Sequence, residues 1–224
     1  MKTFLSILVT LVPSVALGGS FNIIVRNPDA VVRHHWPVTS GVPISQGQFR
    51  MGDAASLTNE QGQIIPVQTE PLSYWPDHSV KWLLLDFQAD LTELASQSFQ
   101  LEYGKHAKVV PLPSILTASK TRQGITLDTG VLKVNLDRHQ FRLLDKVWLD
   151  QNGNHIYEDS ERMTQSRAAG LTLSTPDGER FTGNWTTAEM EIEQSGPMRV
   201  CVRISGSHLN RSGKRFRYIV RLHA

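Results

Sequence analysis

The segment Trp75-Pro-Asp-His-Ser-Val-Lys-Trp-Leu-Leu-Leu-Asp-Phe87 gathers two tryptophans, an aspartate, a histidine and a lysine between positions 75 and 82. Aromatic planes stack on the face of a sugar ring, and charged groups read its hydroxyls. Pro76-Asp77 marks a turn, and turns are where binding residues concentrate. Trp75, Asp77 and His78 are therefore the candidate carbohydrate contacts. The same residues also suit a plain β-hairpin corner. Trp36, Trp82, Trp148 and Trp185 are further stacking candidates, although tryptophan in a β protein more often sits partly in the core.

A second candidate is the loop Asp150-Gln-Asn-Gly-Asn-His-Ile-Tyr-Glu-Asp-Ser-Glu161. Asp150, Asn152, Asn154, Glu158 and Glu161 place oxygen donors at loop positions one, three, five, nine and twelve, which is EF-hand spacing. Calcium is the one cofactor this leaves open. The sharp-turn glycine is misplaced, with Gly153 at position four and His155 at position six. Asn152-Gly153 is equally a two-residue hairpin turn, since both residues tolerate positive φ.

A third is a charged face near the C-terminus. Ala188-Glu-Met-Glu-Ile-Glu193 and Met198-Arg-Val-Cys-Val-Arg-Ile204 alternate, so charged and apolar side chains separate onto two faces. A hairpin looping through 194–198 sets Glu193 opposite Arg199, Glu191 opposite Cys201 and Glu189 opposite Arg203. Arg215 to Leu222 is expected to turn Phe216, Tyr218, Val220 and Leu222 to the core and Arg215, Arg217 and Arg221 outward. The face reads either as an anion surface, for instance for a uronate carboxylate, or as charges paired across strands.

Other chemistries find no support. His34-His35 would point to opposite faces of a strand, which disfavours a shared metal. No His-x-x-x-His, Cys-x-x-Cys, Gly-x-Ser-x-Gly or phosphate-cradling glycine loop occurs. Basic and acidic residues nearly balance, 23 against 21, and Arg211-Ser-Gly-Lys-Arg-Phe-Arg217 is the nearest thing to a basic run. Nucleic acid is not an expected partner.

The elements that must position these residues are strands. Phe21-Asn-Ile-Ile-Val-Arg26, Val80 to Phe87 and Ser98-Phe-Gln-Leu-Glu-Tyr103 are short β-type runs, punctuated by turn residues such as Asn27-Pro28, Gly62 and Gly104. Val80 to Phe87 is expected to be a buried strand with Trp82 in the packing, and Leu91 to Ser96 one helical turn. The expectation is an all-β chain: a small β-barrel over 20–106, a linker over 107–121 around Pro111-Leu-Pro113, and an antiparallel β-sandwich over 122–224.

Residues 1–18 read as a secretory signal. Lys2 carries the charge, Phe4 to Leu17 is mostly apolar, and Ser14-Val15-Ala16 or Ala16-Leu17-Gly18 supplies a small-residue cleavage triplet. The apolar stretch is short of the roughly 20 residues a membrane span needs, so the mature protein is expected to be exported, periplasmic or extracellular, with no membrane segment. A single cysteine, Cys201, leaves no internal disulfide. The final run Arg217-Tyr-Ile-Val-Arg-Leu-His-Ala224 alternates like a central strand and stops without a turn, which suggests that the natural protein continues.

Several segments together resemble the exo-rhamnogalacturonan lyase family. They are Trp36-Pro-Val-Thr-Ser-Gly-Val-Pro43, Gln46-Gly47, Pro66-Val-Gln-Thr-Glu-Pro71 and Trp75-Pro-Asp-His-Ser-Val-Lys-Trp82, in that order. The family's turn usually has glycine where His78 stands. Asp128-Thr-Gly130, Gly196-Pro-Met-Arg199 and Tyr218 to Ala224 are similar to the start of the family's central β-sandwich. The resemblance implies a RIFT barrel followed by that sandwich, and a helical α/α toroid domain further on, on which a lyase active site depends. No residue of this chain matches a catalytic role, so the resemblance implies an accessory portion of a pectin-acting lyase. A stand-alone carbohydrate-binding or structural β module is the other reading.

Overall fold

A computed structural model describes residues 18–105, 107–108, 111, 115–164, 170–183, 187–213 and 215–224. The expected signal segment and Trp185 lie outside the described residues, except for Gly18, which already pairs with Gly104 in a strand. Two compact units divide between Pro111 and Leu112. Apart from one 3-10 turn, every regular element described is a strand.

The first unit holds β1 (Gly18–Arg26), β2 (Arg33–Pro43), β3 (Ala54–Asn59), β4 (Ile64–Ile65), β5 (Val67–Tyr74), β6 (Val80–Leu91) and β7 (Ser96–Gly104). They form two antiparallel sheets, ordered β1-β7-β3-β4 and β2-β6-β5. Alternation dictates the buried faces. Phe99, Leu101 and Tyr103 of β7 meet Leu83, Leu85, Phe87, Ala89 and Leu91 of β6 in one core. Pro37, Pro43 and Pro71 lie only on the strands flanking β6, where a missing N–H costs no central ladder bond. Between β6 and β7, Leu94 takes φ +53° in a tight turn, so Leu91 to Ser96 is not the expected helical turn.

Trp82 is a second correction. It is not in the packing; it is 42% exposed on the outside of the sheet. The β5–β6 register shifts around Ser73, pairing Ser73 with Trp82 but Tyr74 with Val80. The irregularity lets Val80 and Leu83 both face inward, although they are three positions apart. The indole instead lies within 3.6 Å of where a Cβ at Gly41 would stand, covering the bare backbone of β2.

The second unit holds β8 (Thr117–Lys120), β9 (Gly124–Asp128), β10 (Leu132–Asp137), β11 (Lys146–Leu149), the 3-10 turn (Asp159–Glu161), β12 (Thr172–Ser174), β13 (Arg180–Thr182), β14 (Glu189–Ser195), β15 (Val200–Leu209) and β16 (Arg215–His223). One sheet runs β11-β10-β9-β8; in the other, β15 pairs β13, β14 and β16. Strand β8 falls inside the expected 107–121 linker and belongs to this unit. Ile125, Leu127, Val134 and Leu136 of one sheet pack with Met190, Val200, Val202 and Ile204 of the other.

Among the described residues strand β16 pairs with β15 alone, and its inward Tyr218 and Leu222 pack half-buried against the core. Phe216, expected inside, is 41% exposed, with its ring edge-on to Phe181 at 4.9 Å. Tyr218 lies across its cross-strand partner Gly206, where any Cβ would meet the phenol. Among the described residues the buried Tyr218 hydroxyl, His208 Nδ1 and Thr182 Oγ1 meet no hydrogen-bond partner. Burial holds the His208 pKa down and pushes that of Tyr218 up.

Candidate functional site

The turn after β5 is built by its own side chains. His78 N–H donates to the Trp75 carbonyl at 2.9 Å and Trp75 N–H to the Ser79 carbonyl at 2.8 Å. Asp77 Oδ1 accepts from the Ser79 backbone N–H at 3.1 Å and its hydroxyl at 2.6 Å. The Asp77 backbone carbonyl accepts from Arg50, whose guanidinium also stands 3.7 Å from the carboxylate. The Ser79 hydroxyl bond, with help from Arg50, holds the Asp77 carboxyl below the usual carboxylate range. Ser79 Oγ in turn accepts from Gly47 N–H at 2.8 Å. His78 is exposed and takes φ +61°, the left-handed conformation that glycine adopts without strain.

The three candidates thus separate. Asp77 and His78 shape the turn, whereas Trp75 lines a groove of about 600 Å³ with Tyr103, Phe21, Gln48, Ser20 and Ser45. Trp75 is fixed by its indole N–H, which donates to the Ile44 carbonyl at 2.9 Å, and by the Lys81 ammonium 4.7 Å from the ring centroid. Tyr103 is 8% exposed, edge-on to Phe49 at 6.2 Å, and its hydroxyl lies 3.0 Å from Gln48 Oε1. Burial pushes its phenol pKa up. The Tyr103 ring lies across Gly19, its cross-strand partner, where a Cβ would overlap the phenol. A Cβ there would force the phenol to move.

Sequence reasoning missed Tyr103, Gln48 and Phe21 as groove residues. Phe21 and Tyr103 come together through the β1–β7 register and Gln48 arrives with the loop after β2, and nothing local in their segments announces it. Trp36 and Trp148 meet arginines elsewhere. Arg33 stacks on Trp36 at 4.2 Å, and Arg162 stands 5.8 Å from the Trp148 ring centroid. His34 and His35 share one carboxylate, Asp90, which accepts the His35 N–H at 2.7 Å and lies 3.8 Å from His34 Nδ1.

The Asp150–Glu161 loop winds around its two end carboxylates. Asp150 accepts N–H bonds from Gly153, Asn154 and His155 at 2.8, 3.2 and 2.8 Å. Glu161 accepts from Gln151 at 3.0 Å and Glu158 at 3.3 Å. Asn152 and Asn154 each accept the N–H two residues on. His155 takes φ +59°, the conformation the misplaced loop glycine would supply. Asp150 and Glu161 are 7% and 6% exposed, and the His155 ring stands 3.7 Å from Asp150. Among the described residues no three His, Cys, Asp or Glu side chains converge as a metal site.

On the charged face, the register differs from the expected one. Glu191 pairs with Arg203 and Glu189 with Ser205, and a bulge at Glu193 sets Gln194 opposite Cys201. The turn is tighter than assumed, with Gly196 N–H donating to the Arg199 carbonyl at 3.1 Å. The Glu–Arg face survives because the offset is two residues, which keeps side-chain parity. Freed by the bulge, Glu193 grips Arg221 in a fork at 2.6 and 3.0 Å and lies 3.7 Å from Arg203. The fork holds the Glu193 carboxyl low. Cys201 is buried beneath it, its thiol 3.6 Å from the same carboxylate, and burial pushes its pKa up.

Two family models match the chain: the PcRGLX-like N-terminal RIFT barrel domain over residues 27–104 and the PcRGLX-like protein central beta sandwich domain over residues 116–224. The all-β expectation of a barrel followed by a sandwich therefore holds. "Uncharacterized protein YetA" of Bacillus subtilis (strain 168) is 30% identical over 177 residues; the match covers 77% of this chain and 19% of that protein. The chain thus spans about a fifth of that relative's length. Two solved Enterococcus faecalis proteins share 11% identity. One is an alpha-mannosidase of strain V583, with a TM-score of 0.46 over 84% of this chain and 23% of its own. The other is a protein in the glycosyl hydrolase family 38, with a TM-score of 0.45 over 91% of this chain and 29% of its own.

The left-handed His78 yields a direct expectation. His78→Gly relieves the strain and raises the urea midpoint, by up to about 1 kcal/mol of stability, with an unchanged slope. A midpoint that falls contradicts the strain at this position.

Proposed function

This chain belongs to the PcRGLX-like family, and from that premise we propose that its two β units are the accessory portion of an exported lyase-like protein acting on rhamnogalacturonan or a related pectic glycan. The match of both family models, in order, carries the reading. Catalysis in this reading belongs to a helical α/α domain outside these residues. Export rests on the charged and apolar pattern of residues 1–18.

Physical chemistry favours the accessory role. Eliminating across a uronate needs a base for the proton beside the carboxylate and a cation for the enolate. Tyr103, Tyr157 and Tyr218 all have pKa values pushed up, away from a phenolate poised at neutral pH. Arg221 is engaged by Glu193, and Arg203 lies beside both Glu191 and Glu193. A stand-alone carbohydrate-binding module is the second reading, favoured by the Trp75–Tyr103 groove.

The loop from Asp150 to Glu161 belongs to this proposal as a structural calcium seat. Its support is the donor spacing, the left-handed His155 and two buried carboxylates without a Lys or Arg partner among the described residues.

Two measurements test the proposal. The chain incubated with rhamnogalacturonan oligosaccharides is expected to generate no ultraviolet absorbance of unsaturated uronates; a steady rise would overturn the accessory role. Millimolar calcium added to the chelator-stripped chain is expected to raise its thermal midpoint by a few degrees, a gain that Asp150→Asn abolishes. An identical midpoint with and without calcium removes the ion from the account.

A further inference from the structure

We propose that the groove between Trp75 and Tyr103 is a seat for one neutral sugar residue of a glycan chain. The inference rests on the reading that the first unit contacts carbohydrate, and it adds both the site and the class of sugar.

The lining has the chemistry of such a ligand. Trp75 and Phe21 offer aromatic surface to the apolar C–H face of a pyranose, Phe21 being 38% exposed, while the buried Tyr103 borders the groove and holds Gln48 through its hydroxyl. Gln48 supplies the polar reading. With the Tyr103 hydroxyl donating to Gln48 Oε1 at 3.0 Å, both amide N–H groups remain for sugar hydroxyls. The hydroxyls of Ser20 and Ser45 also border the groove. At about 600 Å³ the space falls within the roughly 300–1,000 Å³ usual for small-molecule sites.

Charge selects against an acidic sugar. No Lys, Arg, Asp or Glu lines the groove among the described residues. A uronate carboxylate placed there would lose its hydration without gaining a charged partner, which is costly. The nearby Lys81 ammonium is held over the Trp75 ring.

The walls are also fixed in advance. Trp75 is tied to the Ile44 carbonyl, and Ile44 N–H donates to the Lys81 carbonyl at 2.9 Å. Tyr103 rests against the Gly19 backbone and the Phe49 ring. Side chains already ordered lose little further freedom when a ligand arrives.

The test is calorimetric titration of the full chain with β-1,4-galactotetraose, arabinotetraose, cellotetraose and, as the anionic arm, trigalacturonate. At least one neutral probe is expected to bind about tenfold or more tightly than trigalacturonate. Gln48→Ala and Phe21→Ser are each expected to weaken that binding about tenfold, since each removes a ligand contact. Trp75→Ala also deletes the bond to Ile44, so the other two variants carry the test, with circular dichroism checking their fold. Tighter binding of trigalacturonate, binding unaltered by both variants, or no binding of any neutral probe overturns the proposal. Such a failure leaves the accessory role standing, because the absorbance assay decides that separately.

Discussion

Tyr103 lying across Gly19 is the contact on which the first unit's groove depends. The two residues are direct cross-strand partners, and a side chain at position 19 would occupy the space of the phenol. In the observed register the glycine lets the phenol close over β1. A slip by one residue would move Phe99, Leu101 and Tyr103 out of the core and bring polar neighbours in. Such a pair contributes on the order of 0.2–1 kcal/mol. The second unit repeats the arrangement with Tyr218 over Gly206. Trp82 over Gly41 is a looser version on the outside of the first sheet.

From that register the groove follows. Tyr103 and Phe21 arrive with β7 and β1, Gln48 with the loop after β2, and Trp75 with the turn after β5. The turn's charged residues are spent on the turn. Asp77 satisfies Ser79 and meets Arg50, and Ser79 carries the connection on to Gly47. The candidate site is therefore an aromatic and amide surface, with its ionic groups one layer behind as supports. The charged face of the second unit follows the same economy: Glu193 bulges out of its strand and takes Arg221 in its fork.

Much of the strand pattern was legible in the chain because burial follows alternation. Ser98 to Tyr103 reads correctly from parity alone, with Phe99, Leu101 and Tyr103 inward. What stayed illegible traces to single-residue irregularities. The shift at Ser73 put Trp82 outside, the bulge at Glu193 and a tighter turn moved the β14–β15 pairing by two, and Leu94 turned the chain where a helical turn was expected. Each is a local backbone irregularity or turn, and nothing in residue type marks the place. That β16 pairs with β15 alone among the described residues was invisible for another reason: alternation reports a face, not how many neighbours a strand has. Trp75 was identified from its turn. Its partners across the groove depend on long-range pairing that no short motif encodes.

The most direct test of the Tyr103–Gly19 contact is a proton spectrum of the assigned chain. The Tyr103 hydroxyl and its ring carbon stand nearest the place a Gly19 Cβ would take, so the ring's magnetic field acts on that residue's α protons. The Gly19 Hα resonances are therefore expected displaced from ordinary glycine values, returning toward them in Tyr103→Leu. Gly19 Hα shifts at ordinary values, unaltered by Tyr103→Leu, would contradict the contact and the register built on it.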